Sequence, residues 1–180
     1  MQDKLQRYFY AKLICMKKLL PFVVLLSVTF AVQAQNAKPS KEETIRFMNA
    51  VLKSVEGSVV EVKSSIGEHT IEQQTFDGTS YALHGYYPIT KDKHLPTEVF
   101  SEIKWQSMDT ESIIGHKISD DFTQVVVYFS SKCKHDGIEG IQYRDSMYMY
   151  VPTSKLPSFK KALLRLAEIA KEENKDPFAN

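Results

Sequence analysis

The sequence predicts an α+β domain in which an N-terminal helix, an antiparallel sheet of about seven strands curled toward a barrel, and a C-terminal amphipathic helix pack together. Three patterns carry that prediction. Phe122 to Ser131 (FTQVVVYFSS) is the most β-branched apolar run outside the N-terminus, and its three valines followed by Tyr128 and Phe129 suit a buried pleated strand. In Gln142 to Val151, Met147, Met149 and Val151 alternate with Tyr148 and Tyr150, as an antiparallel partner would. The segments on either side, 40–55 and 155–173, repeat apolar residues at helical spacing.

The chain holds 180 residues, 43% hydrophobic and 25% charged, which suits a single domain with a sizeable core. Its first part is of a different kind. Met16 to Gln35 has a basic start (Lys17, Lys18), an apolar run from Leu19 to Val32, and small or modest residues before a cleavage site between Ala34 and Gln35, the three regions of a secretory signal peptide. About 14 apolar residues interrupted by Pro21 fall short of the roughly 20 that a spanning helix needs. The expected organisation is therefore an upstream artefact at 1–15, a signal peptide at 16–34, and one exported domain at 35–180. The expected location is periplasmic or secreted, with no transmembrane anchor after cleavage. Cys15 precedes the apolar run, so it does not mark a lipoprotein.

Cleavage removes Lys4, Arg7, Lys12, Lys17, Lys18 and Asp3, leaving 18 basic against 21 acidic residues, so the net charge moves from +1 to about −3. No long basic run follows position 35, which disfavours a nucleic-acid partner. Cys133 is then the one cysteine left, and an internal disulfide is ruled out.

Along the domain, Ser40 and Glu43 form a capping-box pattern that starts a helix running to about Val55, with Gly57 at its end. Ile45, Met48, Leu52 and Val55 line its apolar side, widened by Phe47 and Val51. Strands follow at Ser58–Ile66, His69–Phe76 and Thr79–Tyr87, with turns at Ile66–Glu68 and Asp77-Gly78, the latter a strong hairpin signal. After a polar loop at Pro88–Pro96, Val99, Ser101, Ile103 and Trp105 alternate with Phe100, Glu102 and Lys104. Ile113–Ile118 and the turn Ser119-Asp120-Asp121 lead into the central hairpin, whose connection is expected to be a polar loop ending in Asp136-Gly137. In the last helix, Leu156, Phe159, Leu163, Leu166 and Ala170 form a stripe that must cover something apolar.

Seven strands followed by one amphipathic helix resembles the order of elements in pleckstrin-homology-like domains. The opening SKEETIRFMNAVL and the closing FKKALLRLAEIAKEENKDPF are similar to those of small uncharacterised exported bacterial proteins. The resemblance implies binding rather than catalysis. The basic lipid-headgroup loop of phosphoinositide-binding members has no match at Ser64–Glu68, so that ligand is not carried over.

No catalytic, cofactor or metal set is assigned. Cys133-Lys134-His135-Asp136 is the densest cluster of reactive side chains, and a thiol two residues from an imidazole suits a nucleophile and base or a pair of metal ligands. No second paired motif accompanies it, and a structural loop is the simpler expectation, with an intermolecular disulfide through Cys133 as the departure from it. His84 and His116 fall in predicted strands where they would have to meet across a sheet. Tyr128, Tyr148 and Tyr150 form the candidate binding face, since tyrosines opposite Met147 and Met149 would present an adhesive surface. The leading expectation is a non-catalytic binding module of the bacterial cell envelope that takes a protein or small-molecule partner. The alternatives are an envelope hydrolase or metal-dependent enzyme built on His84, His116 and Cys133–Asp136, and a structural or assembly subunit that docks through its helices.

Overall fold

The computed structural model describes residues 38–62, 67–86 and 97–175. The expectations for the upstream segment, the signal peptide and its cleavage at Ala34 and Gln35 lie outside them, as does the polar loop at 88–96. Among the described residues no helix is long and apolar enough to cross a membrane.

Helix α1 spans Lys41–Lys53 and starts with the full capping box: the Glu43 N–H donates to Ser40 Oγ, and the Ser40 N–H donates to Glu43 Oε2 at 2.9 Å. Met48, Val51, Leu52 and Val55 are buried, and Phe47 sits at the exposed margin of the stripe. The helical hydrogen bonding stops short of Val55, and the chain turns at Gly57, whose φ of +82° places it in the left-handed region. Helix α2, Leu156–Glu173, buries Phe159, Ala162, Leu163, Leu166 and Ala167. The helices meet near their ends, where Arg165 Nε donates to the Pro39 carbonyl and Lys41 Nζ pairs with Glu173. Both apolar stripes join the same core as the sheet.

The strands are β1 Val59–Val62, β2 Gly67–Phe76, β3 Tyr81–Tyr86, β4 Glu98–Ser101, β5 Ile114–Lys117, β6 Phe122–Gly137 and β7 Gly140–Pro152. All pair antiparallel. The path runs β1-β2-β3-β4-β6-β5, and β7 lies along the other edge of β6. β6 is the spine: its first half pairs with β5 at Thr123–Val126, its last residues pair with β4 at Lys134–Asp136, and β7 follows it nearly end to end.

The expected curl toward a barrel is corrected in one respect: the sheet does not close. Among the described residues β1 pairs only with β2, and no ladder joins β2 to β7. The gap is spanned by a side chain. Gln74 of β2 accepts from the Tyr150 N–H and from the Tyr81 hydroxyl through Oε1, and donates through Nε2 to the carbonyls of Tyr150 and Leu52. A buried carboxamide thereby replaces one rung of a ladder, satisfying both polar groups of the β7 backbone at that point.

Two further expectations are corrected. The segment Cys133–Gly137 is strand, and the connection is the short turn Ile138-Glu139, closed by the Gly137–Gly140 pair, with Gly140 at φ +78°. Cys133 and His135 alternate inward there with Lys134 and Asp136 outward, a period that polar side chains hide from a hydrophobicity pattern. β4 ends at Ser101 and inverts the expected phase. Phe100 points into the core, and Glu102 at φ +57° then swings the chain so that Ile103 and Trp105 also turn inward.

Candidate functional site

The most irregular part of the sheet lies midway along β6. Tyr128 pairs with Ser146 and Cys133 with Arg144, so five steps of β6 run beside two of β7. The extra residues form a bulge, which bends the strand and re-aims its side chains. On the other edge of β6 this is also the interval between β5 and β4. It is bridged by the single pair Met108–Phe129 and by hydroxyl contacts, Ser107 Oγ to Ser131 Oγ at 2.6 Å and Ser130 Oγ to the Ser107 carbonyl. An open cleft of about 630 Å³ results. Met108 and Phe129 give it an apolar floor, Tyr128 a half-buried aromatic wall, and Ser107, Asp109 and Asp145 a polar rim. Hydrogen bonds from the Ser112 side chain and the Glu111 N–H hold the Asp109 carboxyl below its ordinary range, so it is ionised at neutral pH.

A second polar group lies on the inner face beyond the bulge, where β4, β6 and β7 each contribute one side chain. Glu98 Oε2 accepts from the Tyr148 hydroxyl and lies 3.3 Å from His135 Nε2. Phe100 stacks on the imidazole with ring centroids 4.4 Å apart and meets Tyr148 edge-on. His135 is 5% exposed, and its Nδ1 has no hydrogen-bond partner. Burial first, then the neighbouring Glu98 carboxylate, push the Tyr148 hydroxyl far above its ordinary pKa, so it remains a proton donor to Glu98. This arrangement staples three strands together. Neither Cys133 nor any serine appears among the hydrogen bonds to it.

The residues singled out from the sequence are therefore dispersed. Cys133 is 1% exposed, its thiol donates to the Arg144 carbonyl at 3.4 Å, and burial raises its pKa, all of which make it a poor nucleophile and a poor candidate for an intermolecular disulfide. His84 on β3 shares a 2.9 Å hydrogen bond with Thr97 Oγ1, whereas His116 is exposed on β5, with β4 and β6 between the two strands. No group of three or more His, Cys, Asp or Glu side chains is placed to hold a metal among the described residues. Of the three tyrosines, Tyr128 is half-buried and lines the cleft, Tyr148 is half-buried in the staple, and Tyr150 is 2% exposed with its hydroxyl pushed up to about 12 by burial. Only Tyr128 of this set reaches a surface site.

Glu98 and the bulge were not singled out from the sequence. Glu98 stands alone beside a proline-bounded loop, and the bulge contains Ser130, Ser131 and Lys132, which resemble the end of a strand more than its middle. No family model matches the chain, and neither a curated protein nor a solved structure matches it.

Proposed function

We propose that this is an exported, non-catalytic binding module of the bacterial cell envelope whose small-molecule ligand occupies the cleft beside the β6 bulge. The cleft carries this reading. Its size suits a small ligand, and its apolar floor, aromatic wall and polar rim combine contact area with groups that orient a bound molecule. It is formed where the sheet is interrupted, and a three-residue insertion of that kind commonly re-aims side chains at a site. Among the described residues His84, His116 and Cys133 lie apart from one another and from the buried His135–Glu98–Tyr148 group, which favours binding over the hydrolase and metal-dependent alternatives. The pleckstrin-homology-like order of elements supports the same choice, and the signal-peptide pattern at 16–34 supports export.

Native mass spectrometry of the protein exported from bacterial cells tests the proposal. A mature monomer starting at Gln35 should carry a reproducible small-molecule adduct, and Tyr128→Ala should reduce its occupancy at least tenfold. An adduct that persists unchanged in Tyr128→Ala, or no adduct on the wild-type chain, overturns the assignment of the cleft.

A further inference from the structure

The hydroxyl protons around the cleft beside the β6 bulge are already committed. Ser107 Oγ donates to the Lys104 carbonyl at 2.7 Å, so in its 2.6 Å contact with Ser131 it is the acceptor. Ser130 Oγ donates to the Ser107 carbonyl, and the Ser112 hydroxyl donates to the Asp109 carboxylate. The Asp109 N–H is taken in turn by the Tyr128 carbonyl. A ligand that must be held by donors, such as a carboxylate or a phosphate, finds few of them here.

Acceptors and negative charge remain. Asp109, on the connection between β4 and β5, and Asp145, on β7, both line the cleft and both are exposed. Among the described residues that line it, none is Lys, Arg or His. Two cations of adjoining segments are engaged elsewhere: Lys160 Nζ donates to the Ile113 carbonyl at 2.7 Å, and the Arg144 guanidinium is held by Gln142 and Glu139. Two carboxylates on one cleft, with no lining cation to balance them, favour a ligand that brings positive charge. The floor of Met108 and Phe129 favours an apolar body, and the ring of Tyr128 has a negative face that attracts an ammonium.

We propose that the cleft takes an amphipathic organic cation, a primary ammonium on an apolar body, with the ammonium at Asp109 and Asp145 and the body over Met108, Phe129 and Tyr128. This rests on the reading of the cleft as the ligand site and names the class of ligand. A primary ammonium supplies three N–H donors and no acceptor, the complement of a rim whose own donors are spent. Because both carboxylates face water, their attraction is screened, and the preference for a cation over a neutral molecule of the same shape is about tenfold.

Three probes with one phenethyl body test the assignment: 2-phenylethylamine, 2-phenylethanol and 3-phenylpropionate, each titrated into the mature chain and followed by amide chemical shifts. The amine should move the amides of Met108, Asp109, Tyr128 and Phe129 and bind about tenfold more tightly than the alcohol, with the propionate weakest. Asp109→Asn combined with Asp145→Asn keeps acceptors for Ser112 and the Glu111 N–H, and should bring the three affinities to within about twofold of one another. The dispersion of the amide spectrum reports whether that variant is folded, and the wild-type comparison stands without it. If the alcohol or the propionate binds at these amides as tightly as the amine, or the double variant keeps the full preference, the cation assignment is overturned while the cleft remains a ligand site. If none of the three moves these amides, or the amine moves only others, the assignment is likewise overturned. The reading of the cleft itself falls with it only where the exported chain also lacks an adduct sensitive to Tyr128→Ala.

Discussion

The β2–β3 and β6–β7 hairpins are held in opposite ways. The first is pinned at its turn. Asp77 accepts hydrogen bonds from the backbone and side chains of Thr79 and Ser80, Gly78 takes φ +101° with Ile45 packed where a Cβ would project, and the Gly78 carbonyl accepts from Trp105 Nε1 at 2.7 Å. The second is anchored by burial along both halves: Val125, Val127, Met147, Met149 and Val151 are buried at its base, and Cys133 and His135 are buried near its far end, where β4 pairs with Lys134–Asp136 and the turn residues Ile138 and Glu139 are exposed. A short hairpin can rest on local turn chemistry supplemented by one helix. A long one draws its stability from side chains buried along both of its halves, and its turn needs little chemistry of its own.

That contrast is most strongly tested by Met149→Ala at the root of β6–β7, which should cost about 2–5 kcal/mol in urea unfolding through lost burial and a residual cavity. Tyr143→Ala near the turn should change stability by less than about 0.5 kcal/mol. A similar cost at both positions would erase the distinction. Gln74→Ala removes the link between the hairpins and leaves the Tyr81 hydroxyl and the Tyr150 backbone without their partner. The expected cost is about 2–4 kcal/mol, with accelerated amide exchange at Tyr150 as the local signature. Trp105→Phe keeps an aromatic group but removes the indole N–H that the Gly78 carbonyl accepts from and part of the buried ring volume, and should cost about 1–3 kcal/mol.

The smallest effect is the pH response of the first turn. Burial alone would raise the Asp77 pKa, but the hydrogen bonds from Ser80 and Thr79 outweigh it and lower the value from 3.8 to about 2. A carboxyl depressed on folding stabilises the native state above its unfolded pKa, and that contribution disappears as pH falls from about 4 to about 2. Melting temperatures across this window should decline more steeply for the wild type than for Asp77→Asn. Parallel curves would show that the turn hydrogen bonds carry no linked protonation.

Much of this architecture was legible because it is local. The Ser40–Glu43 box, the stripes of both helices and the Asp77-Gly78 turn are each specified within a few residues, and all appear in the structure. The continuation of β6 through Cys133–Gly137 was hidden because its inward residues are a thiol and an imidazole. Their burial is imposed by Phe100 and β4, which lie more than thirty positions earlier in the chain. The burial of Tyr150 was hidden likewise, since it depends on Gln74 reaching across from β2. The cleft arises from a mismatch in length between β6 and β7, a property of two strands together that no single segment expresses.

Cys133 turns the far half of the β6–β7 hairpin into its own chronometer. Its sulfur is enclosed on the inner face, a few residues from the exposed turn, and an alkylating reagent can reach it only when the strands part. The rate of alkylation at this thiol, compared with that of an unfolded peptide of the same sequence, gives the fraction of time the hairpin spends open. One native side chain thus records the breathing of the strand pair.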